Sequence, residues 1–365
     1  MYDQIREDPL YIILYAMVTA MAMMASCYML FRRGNAIARD ITSPVRLRRW
    51  TGVFFAATAL NHVWYMPIFF LSASEDIMMT DLIGGLLDSI TVFPLAIIVL
   101  FVMLQDRRRP LWPVAVMMVP LVVAGIFTVA TRSYAPQSIV YAYFLLMCIG
   151  LVIYFVRALR QYGRWLRDNY ADLEHKEVWQ SFVVLAIMLL VFGIYAFIYK
   201  GAAYQYAMLV GFAILIGYLL WRVETLSELS MSVNDAEEEA QEPPHGSSLT
   251  FRNNIEPLLK KHCEEPQLYL QHDLNILNLA AEIGINRSYL SKYFSSQGTT
   301  YNAYINSLRI QHFVNLYRES AACHQHVTAQ EIACQSGFRS YNTFSVAFKK
   351  IMGMTATEWM RNVAE

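Results

Sequence analysis

The chain has 365 residues, room for two domains of ordinary size. Hydrophobic residues make up 56 % and charged residues 16 %, with a mean hydropathy of +0.33. A water-soluble chain carries about a quarter charged residues, so a single soluble domain is excluded. The formal net charge of zero averages over unlike parts: residues 10–220 hold long uncharged runs, and the rest reads as an ordinary soluble chain. Five scattered cysteines (Cys27, Cys148, Cys263, Cys323, Cys334) with no CxxC pair argue against a disulfide framework and fit a reducing compartment for the soluble part.

A membrane span needs about 20 apolar residues. Seven stretches meet that need: residues 10–31, 52–71, 82–104, 111–130, 138–155, 178–199 and 202–220. The segment before the first holds Asp3, Glu7 and Asp8 against a lone Arg6, and the apolar run is too long for a signal-peptide core, so it reads as a span. Lys and Arg alternate with the spans. The segments after spans one, three and five carry fourteen of them, among them Arg46, Arg48, Arg49, Arg107, Arg108, Arg109, Arg164 and Lys176. The opposite side has Arg6, Arg132 and Lys200. Positive charge stays inside. The expectation is therefore an inner-membrane, multi-pass protein with its N-terminus outside and the tail after span seven in the cytoplasm.

Polar groups inside the spans need a reason, since a charge near the bilayer centre costs about 2.5–3.5 kcal/mol. Asn61 and His62 fall near the middle of span two, and Asp88 inside span three. Two readings stand side by side: a ligand or proton site facing the bundle interior, with Asp88 and His62 as partners, or groups that satisfy one another and fix helix packing. Pro67, Pro94 and Pro120 can kink their helices, and Trp50, Trp112 and Trp221 suit the interface. The longest outer loop, residues 72–81, is too short for a sensor domain. A signal has to enter the bundle, act through the lipid bilayer, or arrive from another membrane protein; a small molecule and a membrane protein are both open as its source.

The expected domains are a sensor and anchor at 1–221, an acidic flexible linker at 222–250, and a soluble helical domain at 251–365. The linker holds seven acidic residues and one basic one, with the run Asp235-Ala236-Glu237-Glu238-Glu239, and reads as a self-repelling spacer. In the last part an internal repeat stands out. Ala280 and Gly284 precede a capped helix reaching Phe294; Ala333 and Gly337 precede another reaching Phe348. A small residue that lets two helices approach, then a glycine for a left-handed turn, is what a helix-turn-helix needs. Asn275, Asn286, Thr328 and Ser340 stand at the cap positions, and Thr328 with Glu331 and Thr355 with Glu358 have capping-box spacing. A long helix over residues 301–317 joins the two units. The fold class expected is all-α: a polytopic seven-helix transmembrane bundle followed by a soluble α-helical domain with two helix-turn-helix units.

The stretches LNLAAEIGINRSYLSKYF, YINSLRI and EIACQSGFRSYNTFSVAFKKIMGMT resemble the AraC/XylS-type DNA-binding domain over residues 274–359. Ala356 stands where that family usually has proline, and residues 320–326 form a slightly longer segment. The resemblance implies double-stranded DNA as partner, with the second helix of each unit in a major groove and the two grooves about 34 Å apart. It places Ser288, Ser291 and Lys292, then Tyr341, Asn342 and Ser345, toward bases. Lys can donate to guanine and Asn can read adenine with two hydrogen bonds. Arg287, Arg339, Lys349 and Lys350 are placed for phosphates, which position without specifying. Leu290, Phe294, Phe344 and Phe348 read as core.

Residues 251–365 carry eleven Lys and Arg against nine Asp and Glu. So small an excess limits electrostatic affinity for DNA, and a homodimer would offset it. No phosphate-binding glycine loop, nucleophile elbow or zinc-protease motif occurs, so no enzyme and no cofactor are expected. Cys323, His324, His326 and Cys334 lack metal-site spacing, and no metal is expected. The alternative is a transporter or channel-like protein whose helix-turn-helix tail is a regulatory or interaction module.

Overall fold

A computed structural model of the chain describes residues 8–32, 34–133, 137–187, 201–229, 255–323 and 327–364. These form helices and turns; the one β-type pairing among them is an isolated antiparallel bridge between Tyr170 and Asn275. The chain divides into two compact units, one of residues 1–159 and 178–230, the other of residues 160–177 and 231–365.

The first unit starts with α1 (Pro9–Phe31). The Asp8 carboxylate caps it by accepting from the Leu10 and Tyr11 N–H groups, and Pro9 takes the first turn, where its missing donor costs nothing. Next is α2 (Val45–Tyr65), which tightens into a 3₁₀ turn at Met66–Phe69. A break at Thr91 separates α3 (Ser74–Ile90) from α4 (Val92–Met103). Pro94 explains it, because the proline ring clashes with the carbonyl four residues earlier, that of Ile90. Then come α5 (Trp112–Thr131) with Pro120 inside, the 33-residue α6 (Gln137–Asn169), a helical stretch over residues 179–187, and α7 (Ala202–Thr225). Close approach rests on small residues. Any side chain on Gly84 would run into the Tyr65 ring, and one on Gly52 would meet Leu30 Cγ at 2.7 Å.

Five helical segments among the described residues are long and apolar enough to cross a membrane: Pro9–Phe31, Ser74–Met103, Trp112–Thr131, Ser138–Asn169 and Ala202–Thr225. They match the first, third, fourth, fifth and seventh of the expected spans. The second expected span lies on α2 and the 3₁₀ turn, in a helix that opens with Arg46, Arg48 and Arg49. The sixth is helical as far as residue 187, and residues 188–199 lie outside the described ones, as does the acidic linker from residue 230. Where α7 ends, the buried Glu224 accepts from Tyr28 Oη at 2.8 Å and lies 3.5 Å from Arg48 Nε.

In the second unit, α8 (Ile255–Leu259) runs into one π turn at Lys260–Glu264. The first helix-turn-helix is α9 (Ile276–Ile283) with α10 (Arg287–Ser296), and the second is α12 (Ala329–Gln335) with α13 (Tyr341–Met352). They are joined by α11 (Tyr301–Ala322), five residues longer than the sequence pattern suggested, and α14 (Ala356–Ala364) follows. Every expected cap forms. Asn275 accepts from Asn278 N–H, Asn286 from Ser288 N–H and Ser340 from Thr343 N–H, while Thr328 with Glu331 and Thr355 with Glu358 make reciprocal boxes. Gly284 (φ 75°) and Gly337 (φ 86°) take the left-handed turn.

Phe313, Phe338, Phe344, Phe348 and Trp359 fill the core of the second helix-turn-helix, with Phe313 and Phe344 ring centres 4.5 Å apart. Leu290 and Phe294 are buried in the first. Arg309, 1 % exposed, ties the units together. Its guanidinium donates to the carbonyls of Tyr269 and Gln271, both at 2.7 Å, and lies over the Phe338 ring. Burial lowers its pKa from the usual arginine value, yet an arginine so bonded keeps its charge.

Candidate functional site

The residues assigned to DNA divide into exposed and engaged sets. On α13, Tyr341 and Asn342 are exposed in the first turn, Ser345 is half-buried one turn on, and Lys349 and Lys350 are exposed in the last turn. The buried Phe344, Ala347 and Phe348 fix the opposite face to the core, so the helix presents a carboxamide, a phenol and two ammonium groups outward. On α10, Lys292 is exposed, and Ser288 and Ser291 are half-buried. The Ser288 hydroxyl donates to its own cap, Asn286 Oδ1, at 2.6 Å. It therefore serves the helix start, and of the three residues expected at bases on this helix only Lys292 is exposed.

Two of the four residues expected at phosphates already have anionic or carbonyl-type partners. Arg339 lies 3.3 Å from the Asp273 carboxylate at the surface, a pair that salt screens. Arg287 Nε donates to Asn169 Oδ1 at 3.0 Å. Asn169 belongs to the segment Arg160–Glu177, which the linear sequence joins to the apolar half. In the structure this segment belongs to the same compact unit as the helix-turn-helix residues. Sequence reasoning missed it because main-chain carbonyls carry several of its contacts, and these leave no residue pattern.

In the first unit, Asn61, His62 and Asp88 line one cavity of about 360 Å³. Asn61 Nδ2 donates to Asp88 Oδ1 at 2.7 Å and to Thr91 Oγ1 at 3.2 Å, and Tyr65 Oη donates to Asp88 Oδ2 at 3.0 Å. The expected Asp88–His62 pairing takes another form. The His62 ring bonds through Nδ1 to the Thr58 carbonyl at 2.9 Å, one turn back on its own helix, and its ring centre lies 5.1 Å from that of Tyr15. Tyr65 went unrecognised in the sequence. Its spacing from Asn61, four residues on one helix face, was the available signal. The absent side chain at Gly84 leaves room for the Tyr65 ring, whose hydroxyl reaches Asp88.

A helix-turn-helix domain model matches residues 279–362. The chain is 31 % identical over 83 residues to the TCP pilus virulence regulatory protein of Vibrio cholerae serotype O1, in both the Classical Ogawa 395 and El Tor Inaba N16961 strains. The match covers 23 % of this chain and 28 % of each relative, so the chain spans little more than a quarter of those proteins' length. No solved structure matches it. The matched residues take in both turns, both caps of the second unit and every residue expected at DNA. Residues 279–362 thus constitute a helix-turn-helix domain of the AraC type.

Proposed function

We propose that the protein is a membrane-anchored, sequence-specific transcription regulator that binds double-stranded DNA through the two helix-turn-helix units and responds to a signal received in the bundle. The observation that carries the DNA reading is the outward face of α13: Tyr341, Asn342, Lys349 and Lys350 are exposed on a helix whose other face is locked in the core. The relatives' printed name, a regulatory protein, accords with it.

Anchoring draws support from the first unit's surface. Met17, Met24, Val123, Ile139 and Leu146 are all more than half exposed on helices of span length. So large an apolar exterior is unfavourable in water and suited to lipid. The cavity around Asn61, His62 and Asp88 is the candidate receiving site. Its described lining holds the Asp81 and Asp88 carboxylates, the rings of Tyr11, Tyr15 and Tyr65, and no Lys or Arg. Carboxylates beside aromatic faces suit a small organic cation.

The DNA reading is tested with the full chain in detergent and a duplex selected from a random pool, compared with a scrambled duplex across a salt series. Asn342→Ala is expected to cost about 1–3 kcal/mol on the selected duplex and little on the scrambled one, relaxing preference at one base pair. Lys349→Ala is expected to weaken both alike and to reduce the salt slope by about one. Equal losses on both duplexes for Asn342→Ala would show that α13 does not read bases.

A further inference from the structure

The segment Arg160–Glu177 lies along the helix-turn-helix residues at four places. Tyr170 forms the antiparallel bridge with Asn275, and Ala171 N–H donates to the Leu274 carbonyl at 3.4 Å. Asn302 Nδ2, in the first turn of α11, donates to the Ala171 carbonyl at 2.6 Å and to that of Tyr170 at 3.2 Å. Arg287, the first residue of α10, donates to Asn169 Oδ1, and Thr343 Oγ1, in the first turn of α13, donates to Glu174 Oε2 at 3.1 Å. The segment is well held. Asn169, Tyr170, Ala171 and Asp172 are all at most 4 % exposed. Asp172 Oδ1 accepts from Glu174 N–H at 3.0 Å, bending the chain so that Glu174 reaches α13, and Tyr162 Oη donates to the Lys176 carbonyl at 2.9 Å.

The donors face one way. Arg287, Asn302 and Thr343 lie in the first turns of three helices, and each gives its hydrogen to an oxygen of this segment. Helix N-termini favour negative charge, and guanidinium, amide and hydroxyl donors are the groups that bind phosphodiesters. The segment answers with an amide oxygen, two carbonyls and a carboxylate. Arg287 and Thr343 lie on the very helices read as facing DNA, beside Ser288 and Asn342.

We propose that Arg287, Asn302 and Thr343 form a phosphate-receiving face across both helix-turn-helix units, and that Arg160–Glu177 is a strap that occupies it when DNA is absent. Asn302 and Thr343 thereby join the DNA-contacting residues. Binding DNA requires the strap to leave, so whatever holds or releases the strap sets DNA affinity. The proposal rests on the DNA-binding reading above.

The test uses the full chain in detergent and a fluorescent random-sequence duplex of 30 base pairs. Glu174→Gln and Asn169→Ala weaken the strap and leave every DNA-facing donor intact. Each is expected to bind the duplex about tenfold more tightly than the unaltered chain, the worth of one hydrogen bond to a charged group. Thr343→Val on the Glu174→Gln background is expected to reverse part of that gain, because the hydroxyl now serves a phosphate. Amide exchange on the unaltered chain gives a second reading: residues 169–175 are expected to lose protection when DNA is added. Unchanged or weaker binding by Glu174→Gln and Asn169→Ala would overturn the strap, as would residues 169–175 staying protected in the complex; weaker binding would mean that the segment braces the two units for DNA. If neither the unaltered chain nor any variant binds a duplex, the DNA-binding reading itself falls, and the strap with it.

Discussion

Asp88 shows how one buried acid organises its surroundings. Within an apolar helix it needs donors, and it has two, the Asn61 amide and the Tyr65 hydroxyl, from one face of the neighbouring helix. Those bonds pair Asn61 with Asp88, while the His62 ring bonds the Thr58 carbonyl of its own helix, and all three residues line the cavity. If the cavity takes an organic cation, Asp88 supplies the charge. Tyramine and choline, as probes, are then expected to raise the thermal midpoint of the solubilised chain and acetate to leave it unchanged. A ligand at 100 times its Kd stabilises by about 2.7 kcal/mol. Asp88→Asn keeps an acceptor for Tyr65 but removes the charge, and is expected to abolish the shift. Stabilisation by acetate, or a full shift in Asp88→Asn, would rule out the cation. The trio Asn61, His62 and Asp88 was legible because ionisable and amide groups stand out in an apolar run. Tyr65 was not, because a tyrosine near a span end reads as an interfacial anchor.

Turns and caps make up most of what the sequence revealed of the second unit, because a cap is a contact within four residues and its residue types are few. Asn275, Asn286, Thr328 and Ser340 all follow that rule. The two turn glycines look alike in the sequence and differ in the structure. Gly284 has open space around the position of a Cβ, so its requirement is the left-handed backbone alone. A Cβ on Gly337 would lie 2.7 Å from Leu270 Cα and 2.8 Å from Leu270 O, main-chain atoms that cannot swing aside. Here the chain leading into α9 passes against the second turn, and His272 Nδ1 bonds the Gly337 carbonyl at 3.0 Å. Gly284→Ala is expected to cost about 1–2 kcal/mol, the left-handed penalty for a side chain. Gly337→Ala adds an overpacking cost of about 1–3 kcal/mol. Amide exchange over residues 329–352 checks it: protection there should fall well below that of the unaltered chain in Gly337→Ala and remain near it in Gly284→Ala. Equal protection in both would mean that the approach of Leu270 is not needed. No periodicity could have separated these glycines, since the difference lies 67 residues away along the chain.

Charge placement and the strap constrain the whole molecule independently. The strap begins in the last turns of α6 and runs on to Glu177, the helix-turn-helix units follow α7, and they touch within one compact unit. Both must therefore lie on the same side of any membrane the chain crosses, which requires an even number of crossings between residues 177 and 255. If α7 is one crossing, we propose the sixth apolar stretch of the sequence, residues 178–199, as the second. The Lys and Arg alternation leads to the same expectation from different information, and the side it proposes is the cytoplasm. Reporter fusions after Arg49, Arg109, Arg167 and Trp221 are therefore expected to report cytoplasm, and fusions within residues 72–81 or after Arg132 the outside. The decisive pair is Arg167 and Trp221. Opposite locations for these two would leave the strap and the helix-turn-helix units on different faces of the bilayer and remove the contact from the living cell. A shared outer location would keep the contact but place the DNA-binding units away from DNA. A cytoplasmic signal from residues 72–81 would break the alternation instead, and with it the seven-span arrangement, while leaving the even count between α6 and the domain untouched.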